Sequence, residues 1–147
     1  MAENAKHLAA RFAYLLLLGL LAGCGPSGPR TMRVWGEVSF EGVPVESGDI
    51  LLLPTGAEGT ATGAEISGGR YDISADKGPL SGSTYQVQIK GKRKTGKTIP
   101  NPFAPSGPQL EEFENYIPAE YNHQSKLTLT IADSAAKNQH DFRLTRP

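Results

Sequence analysis

Apolar and polar residues alternate with a period of two along much of the chain after residue 31. The first such segment places Met32, Val34, Val38 and Phe40 on one parity and mostly polar residues on the other. Alternation over four to eight residues is typical of a strand with one buried face. Gly36 falls on the apolar parity, where a missing side chain predicts a bulge or a close approach by another backbone.

Six further segments carry strand patterns. Residues 50–53 form a continuous apolar run that ends at Pro54, which predicts a strand covered on both faces. The other five segments alternate; they are residues 62–66, 71–73, 85–89, 127–131 and 142–144. Turn signals such as Glu41-Gly42 and Gly68-Gly69 separate them. Seven short strands with no convincing helix after the N-terminal segment predict an all-β fold, a Greek-key β-sandwich of antiparallel strands.

The N-terminal segment has a different composition. Residues 12–21 (FAYLLLLGLL) are apolar and follow the basic residues Lys6 and Arg11. A bilayer-spanning helix needs about 20 apolar residues, whereas a secretory signal peptide needs 7–15. The run has no polar face, which argues against a helix of the protein core. We therefore expect a signal-peptide helix at the N-terminus.

The run ends in Leu21-Ala22-Gly23-Cys24, which closely resembles the lipobox of bacterial lipoproteins. The resemblance implies cleavage between Gly23 and Cys24 and attachment of diacylglycerol and palmitate to Cys24. It divides the chain into a signal peptide (residues 1–23), a flexible tether (residues 24–32) and a domain (residues 33–147). The alternative is a free or buried cysteine that follows an ordinary secretion signal.

Several motifs resemble those of carboxypeptidase-regulatory-like and Cna-B-like domains. Residues 38–48 (VSFEGVPVESG) are similar to their opening strand and turn, and residues 69–73 and 85–89 to two later strands. The resemblance implies a seven-stranded sandwich of the transthyretin (prealbumin) type. Residues 117–122 (IPAEYN) resemble a signature of small planctomycete lipoproteins, which implies an envelope location. The family brings no catalytic residues to transfer.

The composition of the chain limits the kinds of binding site and reaction that it can support. Fifteen Lys and Arg balance 15 Asp and Glu, so the sequence gives no electrostatic basis for binding nucleic acid. One cysteine excludes an internal disulfide and a cysteine-built zinc site. His123 and His140 lack metal-ligand spacing, and His140 is expected to be a surface histidine. Arg33 is the basic residue of the first strand, so we expect no isopeptide bond of the Cna-B type. These features predict no catalytic residues, no metal and no cofactor.

Residues 91–116 are the unusual region of the domain. They are predicted to be a long insertion outside the sandwich, irregular at residues 101–108, whose backbone contacts water rather than strand partners. Connections above about 15 residues in a compact domain are usually functional or disordered. One interpretation is an interaction loop that binds anionic polymer or lipid headgroups; its residues are Lys92, Arg93, Lys94, Lys97 and Phe103. The other is a solvated insertion in which the later glutamates neutralise the cations. Trp35 is a second candidate, either stacking on a sugar or covered at a strand edge.

Together these observations predict a non-catalytic, lipid-anchored cell-envelope protein that displays a binding or scaffolding module. The alternative is an accessory subunit that positions a transport or polymer-degrading enzyme at the cell surface. The expected location is the cell membrane or the outer membrane, facing the periplasm or the exterior. Gly25 after the cysteine favours the outer membrane by resemblance to enterobacterial sorting. The expected partners are the membrane, through the lipid, and an unidentified protein or polysaccharide.

Overall fold

The computed structural model describes residues 30–146. Within these residues the chain forms nine strands, short 3-10 turns and no α-helix. The strands are β1 (Val34–Phe40), β2 (Val43–Pro44), β3 (Ser47–Pro54), β4 (Thr62–Ser67), β5 (Arg70–Ile73), β6 (Thr84–Ile99), β7 (Leu110–Asn115), β8 (Thr128–Thr130) and β9 (Phe142–Leu144). The predicted all-β class is confirmed. The expected signal-peptide helix lies outside the described residues.

The strands join into one curled and mainly antiparallel sheet. Its order is β2-β1-β5-β4-β3-β6-β7, with β8 paired to β6 and β9 paired to β1. β1 pairs with β5 through its first half and with β2 and β9 through its second half. β6 likewise pairs first with β3 and β8 and then with β7. These two strands therefore continue from one part of the curled sheet into the next.

One pair of strands differs from the antiparallel expectation. β9 runs parallel to β1, with Val38 opposite Phe142 and Phe40 opposite Leu144. The segment before β9 lies along β1 as well, because the His140 amide donates to the Trp35 carbonyl at 2.9 Å. Phe142 and Leu144 still alternate with the exposed Arg143, because successive side chains of a parallel strand also point to opposite faces.

Gly36 is the point at which these backbones meet most closely. A Cβ atom on Gly36 would lie 2.0 Å from the carbonyl oxygen of His140, so no other residue fits without movement of the backbone. The close approach predicted from the sequence is confirmed. Its partner, residue 140, is more than 100 positions away and has no signal in the pattern.

Two tight turns have the geometry that their residue types predict. Glu41 and Gly42, between β1 and β2, have φ of 54° and 78°. Gly68 and Gly69, between β4 and β5, have φ of 55° and 78°. Positive φ at both central residues is the type I′ turn, which matches the twist of a two-residue hairpin.

The hydrophobic core lies on the inner side of the curled sheet. Its fully buried side chains come from the apolar parity of each strand; they include Val34, Val38, Ile50, Leu52, Ile73, Tyr85, Val87 and Ile89. β3 differs from its prediction. Ile50 and Leu52 are buried, but Leu51 is 38% exposed, so this strand is covered on one face only. The continuous run of apolar residues therefore does not indicate a second layer of structure packed on the outer face of β3.

The IPAEYN segment stabilises its own fold. Ile117 is buried in the core, and the Asn122 amide donates to the carbonyl oxygens of Ile117 (3.1 Å) and Pro118 (2.9 Å). A 3-10 turn, Ala119–Tyr121, lies between them. Asn122 is itself buried, so its side chain satisfies backbone groups that would otherwise lack partners. The motif therefore has a structural role, which is to hold the turn after Ile117 against the core.

The prediction that the backbone of residues 91–116 has no strand partners is wrong, whereas residues 101–108 lie between strands, as expected. β6 continues through Ile99 and pairs with β7, so the segment is a β-hairpin with a register shift between Lys94 and Thr98. We call residues 92–115 the arm. Its side chains are mostly exposed on both faces, and this is why its sequence lacks the alternation of a half-buried strand.

Candidate functional site

The cations predicted as an interaction loop lie along the arm, and most of them are paired. The pairs are Lys92 with Asp49 (2.7 Å), Arg93 with Glu114 (2.6 Å) and Lys94 with Glu111 (2.7 Å). Among residues 30–146, Lys97 is the arm cation that has no ion pair. Such exposed pairs contribute about 0.2–1 kcal/mol each. The arm therefore offers an anionic ligand less free charge than its sequence suggests.

The tip of the arm is uncharged. No Asp, Glu, Lys or Arg occurs between residues 98 and 110. Phe103 is 95% exposed there. The Asn101 side chain accepts a hydrogen bond from the Phe103 amide at 2.9 Å, and the Ala104 amide donates to the Asn101 carbonyl at 3.2 Å. The structure thus presents the Phe103 ring to solvent on a hydrogen-bonded turn.

The base of the arm packs on the core. The Asn115 side chain accepts hydrogen bonds from the amides of Gly91 (3.0 Å) and Ile117 (3.2 Å). The Tyr116 ring meets Phe40 edge-on, with the ring centroids 6.0 Å apart. The base of the arm is therefore held against the core, whereas the tip of the arm is exposed to solvent.

A second candidate surface lies on the outer face of the sheet, beside Trp35. β4 and β5 pair only through Ser67 and Arg70 next to their turn, and an open depression of about 610 Å³ lies between them and β1. We call this depression the Trp35 groove. Its lining includes Arg33, Trp35, Glu37, Glu65, Arg70 and Asp72. The sequence indicated Trp35 as a candidate for stacking on a sugar, but it gave no signal that these charged side chains surround it.

Two ion pairs border the Trp35 groove. The Arg33 guanidinium donates to both carboxylate oxygens of Asp72, at 2.8 and 2.5 Å, and lies 5.6 Å from the centre of the Trp35 ring. This hydrogen bonding lowers the pKa of Asp72. Arg70 and Glu37 form a looser pair at 3.5 Å. These residues are close because Trp35 faces Asp72, and Glu37 faces Arg70, across β1 and β5.

A second depression continues from the Trp35 groove across the same face. It has a volume of about 470 Å³ and shares Ala64 and Glu65 with the groove. Its other lining residues include Asp49, Leu51, Gly63, Gln88 and Lys90. We call the two depressions together the outer groove. It crosses five neighbouring strands, β1, β5, β4, β3 and β6.

The two histidines of the described residues have different surroundings, and neither belongs to a metal-binding group. Residues 30–146 contain no group of three or more His, Cys, Asp or Glu side chains arranged to hold a metal ion. His123 contacts the Asn122 side chain at 2.6 Å. His140 is not the surface histidine that the sequence suggested, because its Nε2 atom is buried without a hydrogen-bond partner. Burial lowers the pKa of His140, although Asp141 acts in the opposite direction.

The predicted lipid-attachment residue Cys24 and the cleavage site at Gly23 lie outside the described residues. Within residues 30–146 no helix is long and apolar enough to cross a membrane. Trp35, the second candidate from the sequence, is partly exposed and lies in the outer groove.

Comparisons with known proteins do not assign the chain to a family. No family model and no curated protein matches it. Among solved structures, a 9R-lipoxygenase from Cyanothece PCC8801 aligns with 100% of this chain at 10% sequence identity and a TM-score of 0.35. The chain spans 24% of that protein's length. At this level of similarity the match supports neither a fold assignment nor a function.

Proposed function

We propose that this chain is a non-catalytic, lipid-anchored cell-envelope protein that displays a small β-domain for binding. The observation that carries the proposal is the apolar run of residues 12–21 ending in Leu21-Ala22-Gly23-Cys24. Cys24 is the single cysteine of the chain, and it stands where a lipobox requires one. Acyl chains contribute about 0.8 kcal/mol per buried methylene, and stable anchoring needs at least two membrane signals.

The proposal includes a finer assignment of the fold. The curled sheet is a Greek-key sandwich of the transthyretin type, as in carboxypeptidase-regulatory-like domains, with the arm added to it. Support comes from the type I′ turn at Glu41-Gly42 within the VSFEGVPVESG motif and from the buried Tyr85, Val87 and Ile89 of the Tyr-x-Val-x-Ile strand. An experimental structure that separates two facing sheets would test it. A single open sheet would contradict it.

The position of the first described residues indicates which end of the domain would face the membrane if the chain is anchored at Cys24. The Ser81 amide donates to the Arg30 carbonyl at 2.8 Å, and Thr31 bridges Leu80. The chain therefore enters at the end of the sheet where β6 begins, and β6 runs from there towards the arm. An anchored domain would sit with this end near the bilayer and direct the arm away from it, on the cell membrane or the outer membrane.

Fatty-acid labelling of cells that express the full chain tests the anchor. We expect labelled palmitate to be incorporated into the wild-type chain and the apparent mass to fall on cleavage of the signal peptide. Cys24→Ser should abolish both the labelling and the cleavage. Ser27→Ala, in the same segment, is the matched control and should behave as wild type. Equal labelling of the Cys24→Ser chain would overturn the proposal.

The arm favours a second candidate function. An accessory subunit that positions a transport or polymer-degrading enzyme needs a projecting contact, and Phe103 is 95% exposed at the tip of the arm. Cross-linking in cells through a photoreactive residue at position 103 should then give one enzyme adduct, which a residue at exposed position 126 should not give. Identical adducts from both positions would contradict this role.

A further inference from the structure

We infer that the outer groove is a binding site for a neutral polysaccharide chain, with Trp35 as its aromatic platform. The inference rests on the proposed binding role and names the class of ligand. Three features carry it: the shape of the groove, the balance of its charges and the chemistry of the residues around Trp35.

The shape of the groove fits a linear ligand. The two depressions meet at Ala64 and Glu65 and cross five strands, which at about 4.8 Å per strand gives a path of roughly 20 Å. The path is open to solvent along its length, so a chain can lie in it without having to enter by an end. Gly63 keeps its middle low, since it carries no side chain on this face. Several sugar rings fit such a path, whereas a compact ligand would fill only part of it.

The charges of the groove favour a ligand without net charge. Both cations and carboxylates line the path, and Asp49 lies directly opposite Glu65 on β4 and opposite Lys90 on β6. The cations are Arg33, Arg70 and Lys90, and the carboxylates are Glu37, Glu65, Asp72 and Asp49. Asp49 is also paired with Lys92, outside the groove. The fields of opposite charges at these short separations largely cancel, so neither a polyanion nor a polycation gains much from the site. The same groups are strong hydrogen-bond donors and acceptors for hydroxyl groups.

Trp35 supplies the apolar contact that a sugar ring needs. An indole ring offers a large flat surface at low cost in side-chain entropy, and the C–H face of a pyranose packs on such a surface. Arg33 now lies over the ring, but its side chain is 50% exposed and is held by one exposed ion pair with Asp72. Because both side chains of this pair are about half exposed, a sugar can displace the guanidinium or bind beside it without leaving a buried charge unpaired.

Tryptophan fluorescence gives a direct test, because Trp35 is the single tryptophan of the chain. The probes are cellohexaose and N-acetylchitohexaose, titrated into the full chain in detergent at low and high salt. We expect a saturable change in emission with at least one probe, and an affinity that is unchanged by salt because the ligand is neutral. No change with either probe at millimolar concentration would overturn the inference. Binding that disappears at high salt would also overturn it.

Variants locate the site, with calorimetry as the readout. Trp35→Ala should weaken binding at least about tenfold, which corresponds to about 1.4 kcal/mol. Glu65→Gln, at an exposed position where the two depressions meet, should weaken binding without disturbing the fold. Phe113→Ala is the matched control, an exposed aromatic residue of the arm that does not line the groove, and should bind as wild type. Unchanged affinity in the folded Glu65→Gln and Trp35→Ala chains would contradict the inference.

The glycan inference and the proposed lipid anchor can be contradicted separately. Cys24→Ser should lose fatty-acid labelling and retain glycan binding, since Cys24 precedes the described domain. A chain that is labelled normally but binds neither probe would contradict the glycan inference alone. A chain that binds glycan but is never labelled would contradict the lipid anchor alone.

Discussion

At the scale of single residues, Gly36 is the position where the fold tolerates least change. Gly36→Ala would place a methyl carbon 2.0 Å from the His140 carbonyl oxygen, so β1 and the segment before β9 would have to separate. We expect a loss of at least about 3 kcal/mol in the free energy of unfolding, in the range of severe backbone and packing changes. Chemical denaturation of the purified chain measures it.

Gly56→Ala is the control for this substitution. No atom lies within 4 Å of the added methyl group, and Gly56 has no positive φ. We expect a change within about 0.5 kcal/mol, as for other surface positions. Equal effects of the two substitutions would show that β1 does not meet residue 140 in solution.

His140 makes stability depend on pH. Burial holds its folded-state pKa below the ordinary value of 6.5, so the unfolded chain binds a proton at this site more tightly than the folded chain does. Its contribution to stability is complete above about pH 6.5 and is lost progressively as the pH falls towards the lower folded-state pKa. Denaturation between pH 7 and pH 5 should show this decline.

His140→Leu removes the titrating group and keeps the backbone contacts with Trp35 and Tyr71. The decline in stability between pH 7 and pH 5 should be smaller in this variant than in the wild type, because other groups alone then contribute. An identical pH profile in the two chains would show that His140 is solvated in the folded state.

At the scale of elements, the arm has two parts with different energetic roles. The distal part, residues 94–113, is mostly exposed and has no buried residue. Replacing it with a short Gly-Ser turn should change the free energy of unfolding by less than about 1 kcal/mol, because exposed ion pairs are weak and loop closure depends only logarithmically on length. Thermal and chemical denaturation of the shortened chain test this.

A longer deletion should behave differently. Removing residues 91–116 also removes the Asn115 hydrogen bonds and the contact of Tyr116 with Phe40. We expect a cost of at least about 3 kcal/mol, from a lost aromatic side chain and lost hydrogen bonds. If both deletions cost the same small amount, the base of the arm does not pack on the core.

At the scale of the whole molecule, the direction of β6 separates the N-terminal entry from the tip of the arm. β6 has 16 residues, which at about 3.3 Å per residue is about 50 Å of strand. Spin labels at positions 30 and 103, introduced as Arg30→Cys and Phe103→Cys in the Cys24→Ser chain, should be separated by more than about 35 Å. Pulsed dipolar spectroscopy measures this distance. A separation near 20 Å would mean that the arm folds back over the sheet.

The sequence by itself determined most of the strands and none of their long-range partners. Alternation identified β1, β4, β5, β6 up to Lys90, β8 and β9 because one face of each is buried, and a buried face imposes a period of two on side-chain polarity. Glycine identified the turns at residues 41–42 and 68–69 because positive φ is a local property of the backbone. Both signals depend on neighbours in the chain, so they can be read without the fold.

The tertiary structure alone decided the rest. The arm had no buried face, so its pairing left no alternation. The sequence allowed the later glutamates to neutralise the cations, but the register of β7 beside β6 decides which residues form ion pairs. The parallel direction of β9 and the exposure of Leu51 follow from which strands become neighbours. The outer groove is likewise a product of register, since Trp35, Glu65 and Lys90 lie on different strands and meet one face only because those strands are aligned. Contacts between residues distant in the chain depend on strand order and register, which polarity patterns do not encode.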